Sequence, residues 1–257
     1  MKTIGFIGGG RVTRIFLQAY QNRGLSLSGV AVYDPNPQVL DKLLNLFPAI
    51  QVSSSSMIPA AGSDTVILAV HPPVMMEVLM ALKELINPAA TVISLAPKLT
   101  IEKIQSVLTE NRNIARINPS ASSYINQGIN PVYYAPEMGE EAKKAVRDLM
   151  EPLGSLPEVE EHKIEAYAMI SAMGHTYYWF QLRKLTDLAI RFGMDEAEAQ
   201  AVVAGMMKGT VDTLFHPGLA YEEVIDLVPV KPLGTAEPAI NGFYDEYLVP
   251  LFHKIKP

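Results

Sequence analysis

The sequence predicts an α/β protein, with an N-terminal doubly wound and mainly parallel sheet over residues 1–158 followed by an all-helical region over residues 159–257. Three observations carry this reading. Short apolar runs alternate with helix-periodic stretches along the first part of the chain, the first run ends in a glycine-rich turn that opens a helix, and beyond Gly154 the alternation gives way to long apolar helical patterns.

Each element has its own warrant. The apolar run Thr3–Ile7 enters Gly8-Gly9-Gly10-Arg11-Val12-Thr13, and a helical pattern over Val12–Tyr20 leaves it. Val30–Tyr33 reads as a second strand that ends in Asp34 and the chain-breaking Pro35-Asn36-Pro37, and Ser53–Ser56 reads as a polar loop. The unbroken apolar run Thr65–Val70 has the composition of a parallel strand covered on both faces. His71-Pro72-Pro73 stops it, and a helix over Val74–Leu85, a strand over Ala90–Leu95 and a helix over Thr100–Leu108 come next. Ile114–Ile117 and Pro131–Tyr134 read as further strands, Glu140–Leu149 as a helix with a solvated Glu and Lys face, and Leu156–Val159 as a last short strand. Glu165–Phe192 is apolar and aromatic around much of a helical circumference, so it must be covered by a core or by a partner, and a dimer interface suits it. Glu196–Leu214 reads as a second helix, His216-Pro217-Gly218 as a turn and Gly218–Val228 as a lead into a third helix.

Composition narrows the function classes. The chain has 257 residues, 49% of them apolar, enough for a substantial core in two modest domains. A net charge of −6 and a pI near 5.4 leave no basic face for nucleic acid, and no apolar run has the length to span a bilayer. With no leader-like segment, a cytoplasmic location is expected. Cysteine is absent, which removes disulfides, thiolate metal sites and thiol nucleophiles together, and no histidine pair has the spacing of a metal site.

The glycine turn points to a dinucleotide. Gly8 makes the tight turn, and Gly10 lets the backbone approach a pyrophosphate seated on amides at the start of a helix. Thr13 stands where a third small residue is expected. Asp34, at the tip of the second strand, is placed to accept from the adenosine ribose hydroxyls of NAD and to repel the extra phosphate of NADP, whereas Arg11 can attract that phosphate and keeps NADP possible. In a doubly wound sheet the cofactor crevice lies beyond the carboxyl ends of the strands. Gly8, Gly9, Gly10, Arg11, Val12, Asp34, Ala69, Val70, His71, Pro72 and the Asn118–Ser122 loop with Ser120 are therefore expected to converge there as the cofactor-binding set.

Five motifs, taken together, resemble the pyrroline-5-carboxylate reductase family over nearly the whole chain. Gly5-Phe6-Ile7-Gly8-Gly9-Gly10 is similar to its opening Gly-Phe-Ile-Gly-x-Gly, and Leu68-Ala69-Val70-His71-Pro72 to its Leu-Ala-Val-Lys-Pro. Arg116-Ile117-Asn118-Pro119-Ser120-Ala121-Ser122, with Gly128 beyond, follows the spacing of its Arg-x-Met-Pro-Asn-Thr-Pro and glycine. Ser171-Ala172-Met173-Gly174-His175-Thr176-Tyr177 falls on Ser-Gly-Ser-Gly-Pro-Ala-Tyr, and Lys231-Pro232-Leu233-Gly234-Thr235-Ala236 on Ser-Pro-Gly-Gly-Thr-Thr. The resemblance implies a Rossmann-type domain and an all-helical dimerisation and substrate domain that interlocks with its twin in a homodimer or higher homo-oligomer. It also implies a small carboxylated imine held beside the nicotinamide and reduced by hydride transfer.

The family holds the substrate carboxylate with amides and hydroxyls of the two glycine-containing segments. Two of those hydroxyl positions are Met173 and Ala236 here, while Gly174 and Thr235 remain as substrate-binding candidates. His175 replaces a proline with a group that titrates near neutrality, so it is a candidate proton donor, against the plainer reading of a packed histidine. Tyr177 and Thr235 complete the catalytic candidates, although an aromatic residue on a dimerising helix also suits packing. Two other readings stand beside the imine reductase. A β-hydroxyacid dehydrogenase would need a lysine one turn past Gly174, where Tyr178 stands, and a catalytically degenerate nucleotide-binding sensor or partner protein would explain the lost hydroxyls.

Overall fold

The computed structural model describes residues 3–216 and 218–257, so the turn expected at Pro217 lies partly outside the described residues. The chain forms two compact units, one of residues 3–173 together with Phe252–Pro257 and the other of Gly174–Leu251. The division falls after Met173, inside the region expected to be all helical, because residues 161–172 are tied to the sheet by buried polar contacts from Arg116 and Ser120.

In the first unit, strands β1 (Ile4–Ile7), β2 (Val30–Tyr33), β3 (Gln51–Ser53), β4 (Thr65–Leu68), β5 (Thr91–Ser94), β6 (Ile114–Ile117) and β8 (Val132–Tyr134) form one sheet in the order β3-β2-β1-β4-β5-β6-β8. All pairings are parallel except β6 with β8. The strand order reverses between β1 and β4, which is where a doubly wound sheet opens its ligand crevice. Two very short strands, β7 (Gly128–Ile129) and β9 (Gly154–Ser155), pair beside it. Two expectations are corrected here. The last strand is not at Leu156–Val159 but at Gly154–Ser155, with only a bridge from Val132 to Glu158 beyond it, and Ser53 closes β3 instead of opening a loop.

Helices α1 (Arg11–Asn22), α2 (Pro37–Leu46), α3 (Ile58–Ala61), α4 (Met75–Leu82), α5 (Ile101–Gln105) and α6 (Glu140–Met150) cover the sheet. The Pro35-Asn36-Pro37 sequence does not simply break the chain. Asn36 caps α2 by accepting the Gln38 amide at 3.0 Å, and Pro37 occupies the first helical position, where its missing N–H costs nothing.

The expected single helix over Glu165–Phe192 is interrupted. α7 (Ile164–Tyr167) runs into a π-helical turn (Ala168–Ala172), and α8 (His175–Arg191) begins afresh after Gly174. In the second unit α8 is followed by α9 (Glu196–Leu214), α10 (Tyr221–Asp226) and α11 (Glu237–Ile255), whose final residues from Phe252 belong to the first unit. The stretch Gly218–Val228, expected to lead into a third helix, contains α10 itself, and the long α11, with Pro250 inside it, is a fourth helix that was not expected. Asp195 caps α9 through the Glu198 amide at 2.8 Å. This unit has a thin core centred on Ala189, Ala199 and Val203 and leaves large apolar side chains outside, among them Phe180 at 68%, Phe192 at 80% and Phe215 at 76% exposure.

The first unit's core contains an aromatic series in which Phe16 meets Phe6 edge-on at 5.5 Å and Tyr20 at 6.2 Å. The Tyr20 hydroxyl is buried and finds no hydrogen-bond partner among the described residues. Burial drives its pKa far above the usual phenol value. Because the folded state keeps a proton that the unfolded chain gives up, this contribution is complete below about pH 10, the unfolded value, and is lost as pH rises beyond it. Tyr20→Phe is therefore expected to be at least as stable as the parent at neutral pH and to lose less stability near about pH 10.5 in urea unfolding. A loss above about 1 kcal/mol at neutral pH would show instead that the hydroxyl is bonded.

Candidate active site

The carboxyl ends of β1 and β4 are held together at the glycine turn. Gly8 has φ +108°, and a Cβ on it would stand 2.6 Å from the Ala69 carbonyl oxygen, so only glycine fits both the dihedral and the space. Its amide donates to the Tyr33 carbonyl at 2.7 Å, while the Ala69 amide donates to Ile7 at 2.8 Å. Thr13, fully buried, donates its hydroxyl to the Gly8 carbonyl at 2.6 Å, which explains a threonine at the third position of the fingerprint. It fills the helix-to-strand contact and also ties down the turn.

Asp34 is fixed by the same turn. One carboxylate oxygen accepts the Gly9 amide at 2.8 Å and the other accepts the Asn36 amide at 2.9 Å, which orients the carboxylate at the tip of β2 without consuming all of its lone pairs. Gly10 precedes α1, is exposed, and has nothing within 4 Å of where a Cβ would lie. No side chain caps α1, so its first amides and the positive end of its dipole face open space, with Arg11 exposed and Val12 half-buried beside them. A Cβ at Gly10 would fill the space in front of these amides, so these residues fit the pyrophosphate of a dinucleotide. Across the switch point, Ala69 and Val70 are half-buried, His71 is exposed, and Pro72 begins a short 3-10 turn, Pro72–Val74.

Ser120 is placed differently from the rest of this set. It is buried, its amide donates to Asn130 Oδ1 at 3.0 Å and its hydroxyl donates to the Ser171 carbonyl at 2.9 Å. It thus belongs to the framework that binds the π-helical turn.

Sequence reasoning missed the purpose of Arg116. Its side chain is 1% exposed and bridges Glu161 Oε1 at 3.2 Å and Glu165 Oε1 at 2.5 Å, with Glu165 itself 1% exposed. Glu161 also accepts the Ile101 amide at 2.7 Å, so one guanidinium joins β6, the start of α5 and the segment leading into α7. An arginine inside a strand otherwise made of Ile114, Ala115 and Ile117 was the signal, since a buried charge demands a partner of opposite sign.

In the second unit, Gly174 precedes α8 and His175 is its first residue, with its ring stacked on Trp179 at 5.9 Å and 19° between planes. Tyr177 meets Tyr244 edge-on at 6.2 Å. Burial pushes the Tyr177 phenol pKa up and nearby Tyr244 adds to the shift; burial also raises that of Tyr178, which hydrogen-bonds Tyr244. These phenols stay protonated through the neutral range. Tyr244 was not recognised from sequence because α11, which carries it, was not. Thr235 lies in the exposed 3-10 turn Gly234–Ala236 that leads into α11. Among the described residues no group of three His, Cys, Asp or Glu side chains is placed to hold a metal ion.

Comparison with known proteins agrees with both parts of this arrangement. Residues 3–98 match the family described as NADP oxidoreductase, coenzyme F420-dependent, and residues 161–255 match the pyrroline-5-carboxylate reductase dimerisation family. A pyrroline-5-carboxylate reductase of Escherichia coli is 28% identical over 93% of this chain and 89% of its own length. That of Methanosarcina acetivorans is 26% identical over 93% and 88%. Residues 161–255 thus carry the pattern of the pyrroline-5-carboxylate reductase dimerisation family, and the chain as a whole is similar to reductases of that name. The crystal structure of the Plasmodium falciparum pyrroline carboxylate reductase, solved with NADP bound, shares the fold at a TM-score of 0.76 and 19% identity, covering 99% of this chain and 94% of the other.

The glycine turn separates two roles that substitution can test. Gly10→Ala is expected to leave the unfolding midpoint almost unchanged while weakening NADH binding at least about tenfold, because only the bound pyrophosphate needs that space. Gly8→Ala is expected to destabilise the fold itself by about 1–3 kcal/mol. An NADH Kd for Gly10→Ala equal to that of the parent, measured by calorimetry, would contradict this placement of the pyrophosphate.

Proposed function

We propose that this protein is an NAD(P)H-dependent oxidoreductase that reduces a small carboxylated cyclic imine, pyrroline-5-carboxylate or a close relative, to the corresponding cyclic amine, which for pyrroline-5-carboxylate is proline. The observation that carries the proposal is similarity over 93% of the chain to reductases of that name, running through both the glycine-turn domain and the helical part. A bound nicotinamide supplies the hydride. The protein's task is mainly positioning, since an iminium carbon accepts hydride with little further activation.

The uncapped start of α1, with Gly8, Gly9, Gly10, Arg11 and Val12, holds the pyrophosphate, and Ala69, Val70, His71 and Pro72 border the crevice on the β4 side. Asp34, oriented by the Gly9 and Asn36 amides, takes the adenosine ribose and favours NAD; Arg11 keeps NADP usable. Gly174 and Thr235 serve the substrate carboxylate. Met173 and Ala236, standing where the family has hydroxyls, weaken that contact by removing donors worth roughly 1.5–3 kcal/mol each to a charged acceptor. His175 delivers a proton to the ring nitrogen as it becomes an amine, and Tyr177, two residues on and edge-on to Tyr244, supports α8 from another face. The exposed apolar residues of the second unit are covered in a homodimer or higher homo-oligomer. No helix among the described residues is long and apolar enough to cross a membrane, and we place the enzyme in the cytoplasm, at the closing step of proline formation.

The proposal is tested by steady-state oxidation of NADH and, separately, NADPH with pyrroline-5-carboxylate. Efficient turnover is expected, with NADH the better donor, and Asp34→Ser is expected to shift the ratio of kcat/KM values toward NADPH by about tenfold or more. NADH binding without turnover on this or any other cyclic imine or ketone would favour the degenerate nucleotide-binding protein instead. His175→Gln is expected to lower kcat by about a hundredfold; an unchanged kcat would leave the imidazole as a packing group on Trp179.

A further inference from the structure

We infer that Ser120 is a positioning residue for the substrate segment: its buried hydroxyl, donated to the Ser171 carbonyl, fixes the π-helical turn Ala168–Ala172 and with it the backbone of Met173 and Gly174 that follows. The inference rests on the reading of Gly174 and its neighbours as substrate-binding.

The geometry makes Ser120 a stationary anchor. It lies just beyond β6, its amide is held by Asn130 Oδ1, and Asn130, fully buried, is itself bonded by the Ser123 hydroxyl at 2.7 Å. The turn that it grips departs from regular α-helix. A π turn carries one residue more per turn than the helix around it, here closed by the Met173 amide donating to Ala168, and such turns re-aim the chain beyond them. Ser171 uses its own hydroxyl within the turn, donating to the Tyr167 carbonyl at 2.9 Å, so its backbone oxygen is the group by which an outside residue can hold the turn.

The segment is clamped at its other end by Arg116. The ion pairs to Glu161 and Glu165 fix residues 161–165 against β6, and losing the guanidinium would strand a buried carboxylate. Arg116 thus secures the attachment of the segment, while Ser120 determines the aim of its last turn. Met173 and Gly174, the next residues, are where this chain departs from and retains the family's substrate segment.

The test uses the full-length protein with Ser120→Ala, and with Ser120→Cys as a near-isosteric weak donor expected to lie between Ala and the parent. Loss of the hydroxyl, with its bonds to the Ser171 carbonyl and the Ser122 hydroxyl, is expected to raise KM for pyrroline-5-carboxylate roughly fivefold to tenfold with a smaller change in kcat. The NADH Kd is expected to stay within about twofold, and amide hydrogen exchange across residues 168–174 is expected to accelerate. A higher NADH Kd with unchanged exchange and KM would make Ser120 a cofactor contact and overturn the inference, as would exchange identical to the parent in both variants. The exchange reading needs no turnover. If the parent protein fails to reduce the imine, the substrate assignment fails, while accelerated exchange in the variants still establishes that Ser120 holds the turn.

Discussion

At the switch point of the sheet, the backbone at Gly8 passes so close to the Ala69 carbonyl that no side chain fits, and this approach shapes the rest of the crevice. It brings the ends of β1 and β4 together and presents the Gly9 amide to Asp34. The Thr13 hydroxyl on the Gly8 carbonyl then fixes the direction in which α1 leaves. With the turn fully occupied in holding itself, the start of α1 is left without a cap, and those unspent amides are what a diphosphate needs. The glycine turn is therefore held by its own hydrogen bonds, with Asp34 and Thr13 tied to it.

A second constraint is the buried guanidinium of Arg116, which fixes the segment leading into the π-helical turn. A charge on a central strand is tolerated only because Glu161 and Glu165 meet it, and in doing so they draw the first part of the C-terminal region onto the sheet. This is why the compact units divide after Met173 and not where the strand pattern ends. The second unit has little core of its own and much exposed aromatic surface, and it lies within the match to the pyrroline-5-carboxylate reductase dimerisation family.

Local chemistry made most of the fold legible in the sequence. β2 and β6 and the helix α9 fall where their apolar patterns and flanking turns place them, and the glycine turn with Asp34 could be read because all of its parts lie close together in the chain. The failures have physical causes. Proline at the first helical position of α2 looks like a breaker although it starts the helix, and Pro238, Gly242 and Pro250 obscured α11 in the same way. The π turn has no compositional signature, so α7 and α8 read as one helix. The bond from Ser120 to Ser171 was hidden because the two are remote in sequence, and no periodicity reports a hydrogen bond between distant segments. Tyr244 was hidden along with the helix that bears it.

A preformed dinucleotide crevice thus occurs in one chain with an edited substrate segment, in which Met173, His175 and Ala236 replace the family's residues while Gly174 and Thr235 remain. The central claim is that hydride passes to the carbon of a carboxylated cyclic imine. The most direct measurement is a single-turnover reaction of pyrroline-5-carboxylate with nicotinamide cofactor deuterated at the transferred position of C4, with mass spectrometry of the product. The expected product is proline carrying one deuteron on the ring carbon that had been doubly bonded to nitrogen. Unlabelled product, or none despite saturated cofactor binding, would contradict the claim.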